Sequence, residues 1–161
     1  MDAVTIIHVI ISLLGIVSGY IVIAGMLQGL RLPRWTAFFL ITTVLTSATG
    51  FLFPFVKLLP SHILAVLSLI ALAIAIYALY SQKLAGRWRA TYVITAIIAQ
   101  YFNVFVLIVQ AFLKLPPLKA LAPTQTEPPF AIAQAANLVA FLVLGYLATK
   151  RFQPENVHAS L

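Results

Sequence analysis

Residues 92–113 read YVITAIIAQYFNVFVLIVQAFL, an uncharged and mostly apolar stretch that is long enough to cross a lipid bilayer as a helix. Outward from it in both directions, the chain holds four further stretches of this kind, at residues 4–28, 36–55, 62–80 and 130–149. A spanning helix needs roughly 20 apolar residues, and all five stretches satisfy that length. We therefore predict an all-α integral membrane protein, in which residues 1–151 form one compact bundle of five transmembrane helices and residues 152–161 form a disordered cytoplasmic tail.

The composition excludes several classes of protein. Hydrophobic residues make up 63% of the chain, charged residues make up 8%, and the mean hydropathy of +1.07 is far above that of a soluble globular domain. The chain has no cysteine, so it has neither disulfides nor thiolate metal ligands. No serine or threonine is spaced with a histidine and a carboxylate for nucleophilic catalysis, and no phosphate-binding loop is present. Whether the protein is an enzyme stays open.

The cationic residues are distributed unevenly between the two sides of the predicted bundle. Lys57, Lys114 and Lys119 fall on one side, and the other side holds seven cations: Arg31, Arg34, Lys83, Arg87, Arg89, Lys150 and Arg151. An excess of lysine and arginine marks the cytoplasmic side, so we expect the N-terminus outside and the C-terminus in the cytoplasm. The net charge of +7 is then explained by topology and anionic lipid headgroups, and nucleic acid is not an expected partner.

Neutral polar side chains inside the spans are the candidates for a binding site. No Asp or Glu lies within any span, which argues against a transporter of cations or protons. The fourth span places Gln100, Asn103 and Gln110 on one helical stripe. At a rise of about 1.5 Å per residue, side chains from four of the five helices fall in the outer half of the bundle. We predict a small polar pocket there, lined by His8, His62, Asn103, Gln110, Gln134 and Asn137.

The connection from Leu115 to Pro129 is long and rich in proline, whereas the other connections are mostly short. Its prolines make it stiff, and it carries Thr124, Gln125 and Glu127. One interpretation is a lid over the pocket, to which these three residues contribute. The other is a spacer between two helices that are not neighbours.

The pocket could take a quinone or a lipid, for which histidine and amide side chains provide hydrogen bonds and aromatic rings provide stacking surface. A b-type haem held by His8 and His62 is a second possibility. No other metal site is expected, because a third ligand is lacking. The alternative is a protein without a ligand, an accessory or assembly subunit or a homo-oligomer, in which the amides only bond helices together.

Two glycine pairs have the GxxxG spacing that allows close helix packing, Gly15 with Gly19 and Gly25 with Gly29. We expect both pairs to pack against other helices, either within one chain or across an oligomer.

Two stretches resemble an uncharacterised family of small bacterial multi-helix inner-membrane proteins: LPSHILAVLSLIALAIAIYALY, residues 59–80, and FNVFVLIVQAFLKLPPLKALAPTQTEPPF, residues 102–130. The second stretch is the more distinctive. The resemblance implies a multi-pass protein of the bacterial cytoplasmic membrane and implies no activity, cofactor or catalytic residue.

Overall fold

The computed structural model describes residues 3–52 and 60–154, and every regular element within those ranges is helical. A π-helical turn, Tyr77–Ser81, continues the third helix. The α-helices are α1 Ala3–Leu27, α2 Pro33–Gly50, α3 Pro60–Ile76, α4 Arg87–Lys114, α5 Pro116–Leu121 and α6 Pro128–Arg151. The prediction of an all-α fold is confirmed for the described residues.

Four segments of the described chain are long and apolar enough to cross a membrane: α1, His62–Ser81, α4 and α6. The second predicted span corresponds to α2, which has 18 residues and is not among these four segments. Its hydroxyl side chains and Arg34 lower its hydropathy, and the predicted end of that span, residues 53–55, lies outside the described residues. A crossing by α2 therefore stays a prediction.

Helix α4 is the centre of the bundle. It packs against α1, α2, α3 and α6, whereas α6 packs only against α4 and α1 among the long helices of the described chain. Half of the apolar window of α4 is buried, compared with 11% in α6. Helix α4 also begins at Arg87, so residues 87–91, which the sequence assigned to a connection, belong to the helix. Long arginine side chains allow a spanning helix to extend beyond its apolar part.

The bundle has two chemically different ends. The end formed by the start of α1, the end of α4, α5 and the start of α6 is called the loop end. The opposite end is called the arginine end, because its connections and helix termini carry Arg31, Arg34, Arg87, Arg89 and Arg151.

At the arginine end, Gly29 terminates α1. The Leu30 amide donates to the Gly25 carbonyl (2.9 Å) and the Gly29 amide to the Met26 carbonyl (3.1 Å), with Gly29 at a φ of 73°. This is the Schellman pattern, for which a glycine is favoured because φ is positive. Gly29 thus lies in a turn beyond the helix, and Gly25 faces Leu32 of the same turn. A Cβ built on Gly29 would lie 3.4 Å from the Arg151 carbonyl oxygen at the end of α6, so this glycine approaches another helix. The packing role of the second pair stays a prediction.

The end of α6 is fastened to α4. The Arg89 guanidinium donates to the carbonyl oxygens of Thr149 (3.0 Å) and Phe152, which satisfies acceptors that a helix C-terminus leaves without partners. Phe152 is only 3% exposed and its ring packs against Tyr92. Residue 152 therefore belongs to the bundle and not to the predicted tail, of which residues 155–161 lie outside the described part.

The proline-rich connection is partly helical. Pro116 and Pro117 occupy the first positions of α5. Proline is tolerated there because amide hydrogens in the first turn of a helix have no acceptor within the helix. Residues 116–121 of the predicted connection therefore form a short helix.

Candidate ligand site at the loop end

His8 on α1 is bonded to Thr49 on α2. The His8 Nδ1 atom lies 2.8 Å from the Thr49 hydroxyl oxygen. That hydroxyl donates its hydrogen to the Leu45 carbonyl (2.7 Å), so His8 Nδ1 must be the donor in the bond between the two side chains. The imidazole thus joins α1 to α2.

His62 lies at the start of α3 and is 4% exposed. Its ring stacks on Phe51, with centroids 6.0 Å apart and planes inclined by 30°. His8 also adjoins the end of α2, since a Cβ built on Gly50 would lie 3.9 Å from its Cε1 atom. Residues 49–51, at the end of α2, therefore pack against both imidazoles. The described residues contain no cluster of three or more metal-ligating side chains.

Gln100 on α4 is completely buried and donates to the Ile16 carbonyl on α1 (2.8 Å). A carbonyl within a helix can accept this second hydrogen bond because it has two lone pairs. The Gln100 Oε1 atom is buried and has no hydrogen-bond partner in the described chain. The sequence placed Gln100 on the polar stripe of α4 but gave no indication of its partner.

Two other amides connect helices. Asn103 donates to the Thr43 hydroxyl (3.3 Å) and thereby links α4 to α2. Gln134 donates to the Phe105 carbonyl (3.2 Å) and thereby links α6 to α4. The amides that the sequence placed in one pocket therefore belong to different helix interfaces.

Unused hydrogen-bonding groups remain between α4 and α6. The Oε1 atom of Gln134 and the Nδ2 atom of Asn137 are buried and have no partner within the described residues. Asn137 is 8% exposed, and no side chain or backbone group in the described chain bonds to it. Tyr101 of α4 packs against Phe141 (5.8 Å between centroids). We call the region formed by Tyr101, Phe105, Gln134, Asn137 and Phe141 the α4–α6 seam.

Gln110, also predicted to line the pocket, lies about one turn from Phe105 on α4 and is half-buried. It makes no hydrogen bond to the described residues. It shares the helical stripe of Gln100 and Asn103, which bond to α1 and α2, and so it does not belong to the α4–α6 seam.

The segment Thr124–Glu127 is folded onto the end of α4. Gln125, at a φ of 60°, donates from Nε2 to the Val109 carbonyl (2.9 Å). The Glu127 carboxylate accepts from the Thr124 hydroxyl (2.8 Å) and from the Thr124 and Thr126 amides. Desolvation acts to raise the pKa of Glu127, but these hydrogen bonds outweigh it, so its pKa lies below the usual value. The three predicted lid residues thus hold the segment in place at the loop end.

The sequence did not predict a cavity of about 60 Å³ at the arginine end. Its lining is mostly apolar, and its polar members are Arg31, Thr36, Tyr80 and Tyr92. In the sequence, Arg31 and Thr36 are far from Tyr80 and Tyr92, and the residues resemble ordinary anchors at helix ends. Only the folded chain reveals that they line one cavity.

The structure thus divides the predicted site residues. Gln134 bonds to Phe105 of α4 and lies one turn before Asn137 on α6, whereas His8, His62 and Asn103 are used in packing against α2. Comparisons of the chain with protein-family models, with curated proteins and with solved structures found no match.

Proposed function

We propose that this is a five-span protein of the bacterial cytoplasmic membrane that binds a small amphiphile, a quinone-like molecule or a lipid, at the α4–α6 seam. Four apolar segments support the spans, and α2 provides the remaining one, since it packs beside α1 and α3. The concentration of cations at the arginine end supports a cytoplasmic C-terminus. The resemblance of residues 59–80 and 102–130 to small bacterial inner-membrane proteins supports the choice of membrane.

The observation that carries the binding proposal is the pair of unsatisfied amide groups on α6. Gln134 Oε1 is an acceptor, Asn137 Nδ2 is a donor, and neither has a partner in the described chain. Leaving a buried polar group without a hydrogen bond costs about 1–3 kcal/mol. A ligand that offers one acceptor and one donor would remove this cost at both groups.

The spacing of the two amides limits the class of ligand. Residues three apart on a helix lie on the same face, about 4.5 Å apart along its axis. A carbonyl oxygen could accept from Asn137 while a neighbouring hydroxyl donates to Gln134. Quinols and the glycerol esters of lipids carry oxygens at such separations, and Tyr101 and Phe141 offer an aromatic surface to an apolar ring or chain.

Native mass spectrometry of the purified protein tests this proposal. We expect the wild type to retain a small molecule that the Asn137→Leu and Gln134→Leu variants lose. Extraction of the bound molecule would then allow it to be identified. Gln28→Leu is the matched control, because Gln28 is an exposed amide near the arginine end of α1. Identical bound mass in all four proteins would rule out the seam as a binding site.

A second candidate function, a non-catalytic accessory or assembly subunit, is favoured by the amides that are already bonded. Gln100, Asn103 and Gln134 each connect α4 to another helix, which is a purely structural use of polar groups. Purification from native membranes in a mild detergent distinguishes the two functions. Migration with a larger complex, without a retained small molecule, would support the accessory role.

Haem is the weakest of the ligands considered, because α2 packs against both imidazoles. We expect the reduced, purified protein to show no Soret band when the cells are supplied with haem. A Soret band lost in both His8→Ala and His62→Ala would overturn this view.

A further inference from the structure

The cavity at the arginine end is formed where the start of α2 meets α4 and the turn after α1. Thr36 and Tyr92 lie deep in it, with 6% and 2% of their surfaces exposed. Their side chains interact with each other, and Arg31 and Tyr80 lie close enough to Tyr92 to interact with it electrostatically. Arg31 and Tyr80 are exposed, so they form the rim, while the two hydroxyl groups of Thr36 and Tyr92 form the interior.

The polar groups of this cavity are suited to an anion. Arg31 contributes a positive charge, and the hydroxyl groups contribute hydrogen-bond donors. The start of α2 also borders the cavity through Pro33, and no side chain caps that helix terminus. The positive end of a helix dipole stabilises an anion at this position.

Within the described chain, no carboxylate neutralises the arginine end. Glu127 is the only acidic residue in the described ranges, and it lies at the loop end. No carboxylate of the described residues is therefore available to pair with Arg31. In a membrane, the phosphates of the lipid headgroups supply anions at this level.

The size and lining of the cavity agree with this chemistry. A volume of about 60 Å³ corresponds to about four water molecules at ~15 Å³ each. That is room for a phosphate group, whereas a whole drug-sized ligand requires about 300 Å³ or more. The apolar lining of Val22, Met26 and Leu79 can contact the glycerol and first methylene groups of a lipid.

We infer that this cavity binds the phosphate of an anionic phospholipid, held by Arg31 at the rim and by the Thr36 and Tyr92 hydroxyls in the interior. The site lies at the opposite end of the bundle from the α4–α6 seam. The two proposals can therefore succeed or fail separately.

Native mass spectrometry of the full-length protein in detergent tests the inference, with phosphatidylglycerol and phosphatidylcholine as the added lipids. We expect the wild type to prefer phosphatidylglycerol by about tenfold, because the choline cation of phosphatidylcholine is repelled by Arg31 and offsets the attraction of its phosphate. Arg31→Gln should weaken that preference, whereas Thr36→Val, which keeps the side-chain volume, should weaken the binding of both lipids. Arg87→Gln is the control, because Arg87 is an exposed arginine at the same end and does not line the cavity.

Two results would overturn the inference. If Arg87→Gln loses the preference as fully as Arg31→Gln does, the attraction is a general effect of surface charge. If excess inorganic phosphate displaces phosphatidylglycerol from the wild type, the site serves a soluble phosphate and not a lipid. Retention of the preference in Arg87→Gln and in excess phosphate, with its loss in Arg31→Gln, supports the lipid site.

Discussion

The side-chain amide of Gln100 fills the space that a side chain at Gly19 would need. A Cβ built on Gly19 would lie 2.2 Å from Oε1 and 2.4 Å from Cδ of Gln100. Gln100 is fixed in this position by its hydrogen bond to the Ile16 carbonyl and is fully buried. Gly15, one turn earlier, approaches the Thr42 and Thr43 hydroxyls of α2. The first glycine pair thus packs α1 against two helices of the same chain.

Gly19→Ala should destabilise the protein by about 1–3 kcal/mol, because the added methyl group forces Gln100 away from Ile16 and overpacks the interface. Unfolding in detergent measures the change. Gly145→Ala is the control, since a Cβ there meets Ile97 at an ordinary 3.7 Å. Equal stability of the two variants would mean that Gln100 can leave its position without cost. If the clash is the cause, Gln100→Ala should reduce the penalty of Gly19→Ala in a double-mutant cycle.

Arg89→Gln should lower stability by about 1–3 kcal/mol, because the end of α6 loses a charged donor and its buried carbonyl groups are left unsatisfied. The same unfolding assay measures this, and protease cleavage near Phe152 should become faster. Arg87→Gln should change stability by less than about 0.5 kcal/mol, since Arg87 is exposed. Similar effects of the two substitutions would show that the bonds from Arg89 do not hold α6.

Asn137→Leu should raise the stability of the ligand-free protein by about 1–3 kcal/mol, because it removes a buried amide that has no partner in the described chain. Asn103→Leu should lower stability, because it breaks the bond to Thr43. Unfolding midpoints of delipidated protein compare the two. Destabilisation by Asn137→Leu would indicate that this amide has a structural partner, which favours the accessory role over ligand binding.

The segment Thr124–Glu127 should loosen in acid. The folded-state pKa of Glu127 is lowered below its usual value of 4.5. The carboxylate therefore stabilises the segment fully above pH 4.5, and this stabilisation is lost as the pH falls through the lowered pKa. Hydrogen exchange at the Thr124 and Thr126 amides, corrected for the intrinsic rate, should therefore accelerate below pH 4.5. In the Glu127→Gln variant, the Thr124 and Thr126 amide hydrogens should exchange rapidly at every pH. The same pH profile in both proteins would contradict the role of the carboxylate.

The two chain ends should report from opposite sides of the membrane. With five crossings, a reporter fused at the N-terminus is active outside the cytoplasm, and one fused after Arg151 is active inside. A fusion after Gly29, in the turn that ends α1, should also report from the cytoplasm. Both termini on one side would indicate four crossings and leave α2 outside the membrane.

The helices could be predicted well because long apolar runs are a local property of the sequence. Their ends were less predictable, because Phe152 joins the bundle through contacts with the distant residues Arg89 and Tyr92. The site was the least predictable part. The stripe containing Gln100 was visible in the sequence, but its partner Ile16 is 84 residues away, and helix periodicity does not reveal which faces of two helices meet.

The central position of α4 determines the order in which the bundle can be assembled during synthesis. The chain emerges from its N-terminus, so α1, α2 and α3 are made before the helix that contacts all three. Until then the Ile16 carbonyl lacks its amide donor, and the surface at Gly19 lacks the Gln100 side chain that covers it. Helix α6 is made last and has the smallest buried share of the four apolar segments, so it adds Phe141 and Ala148 to a core that the earlier helices have largely formed. Truncation after Lys114 should therefore leave a more persistent insertion product than truncation after Gln82.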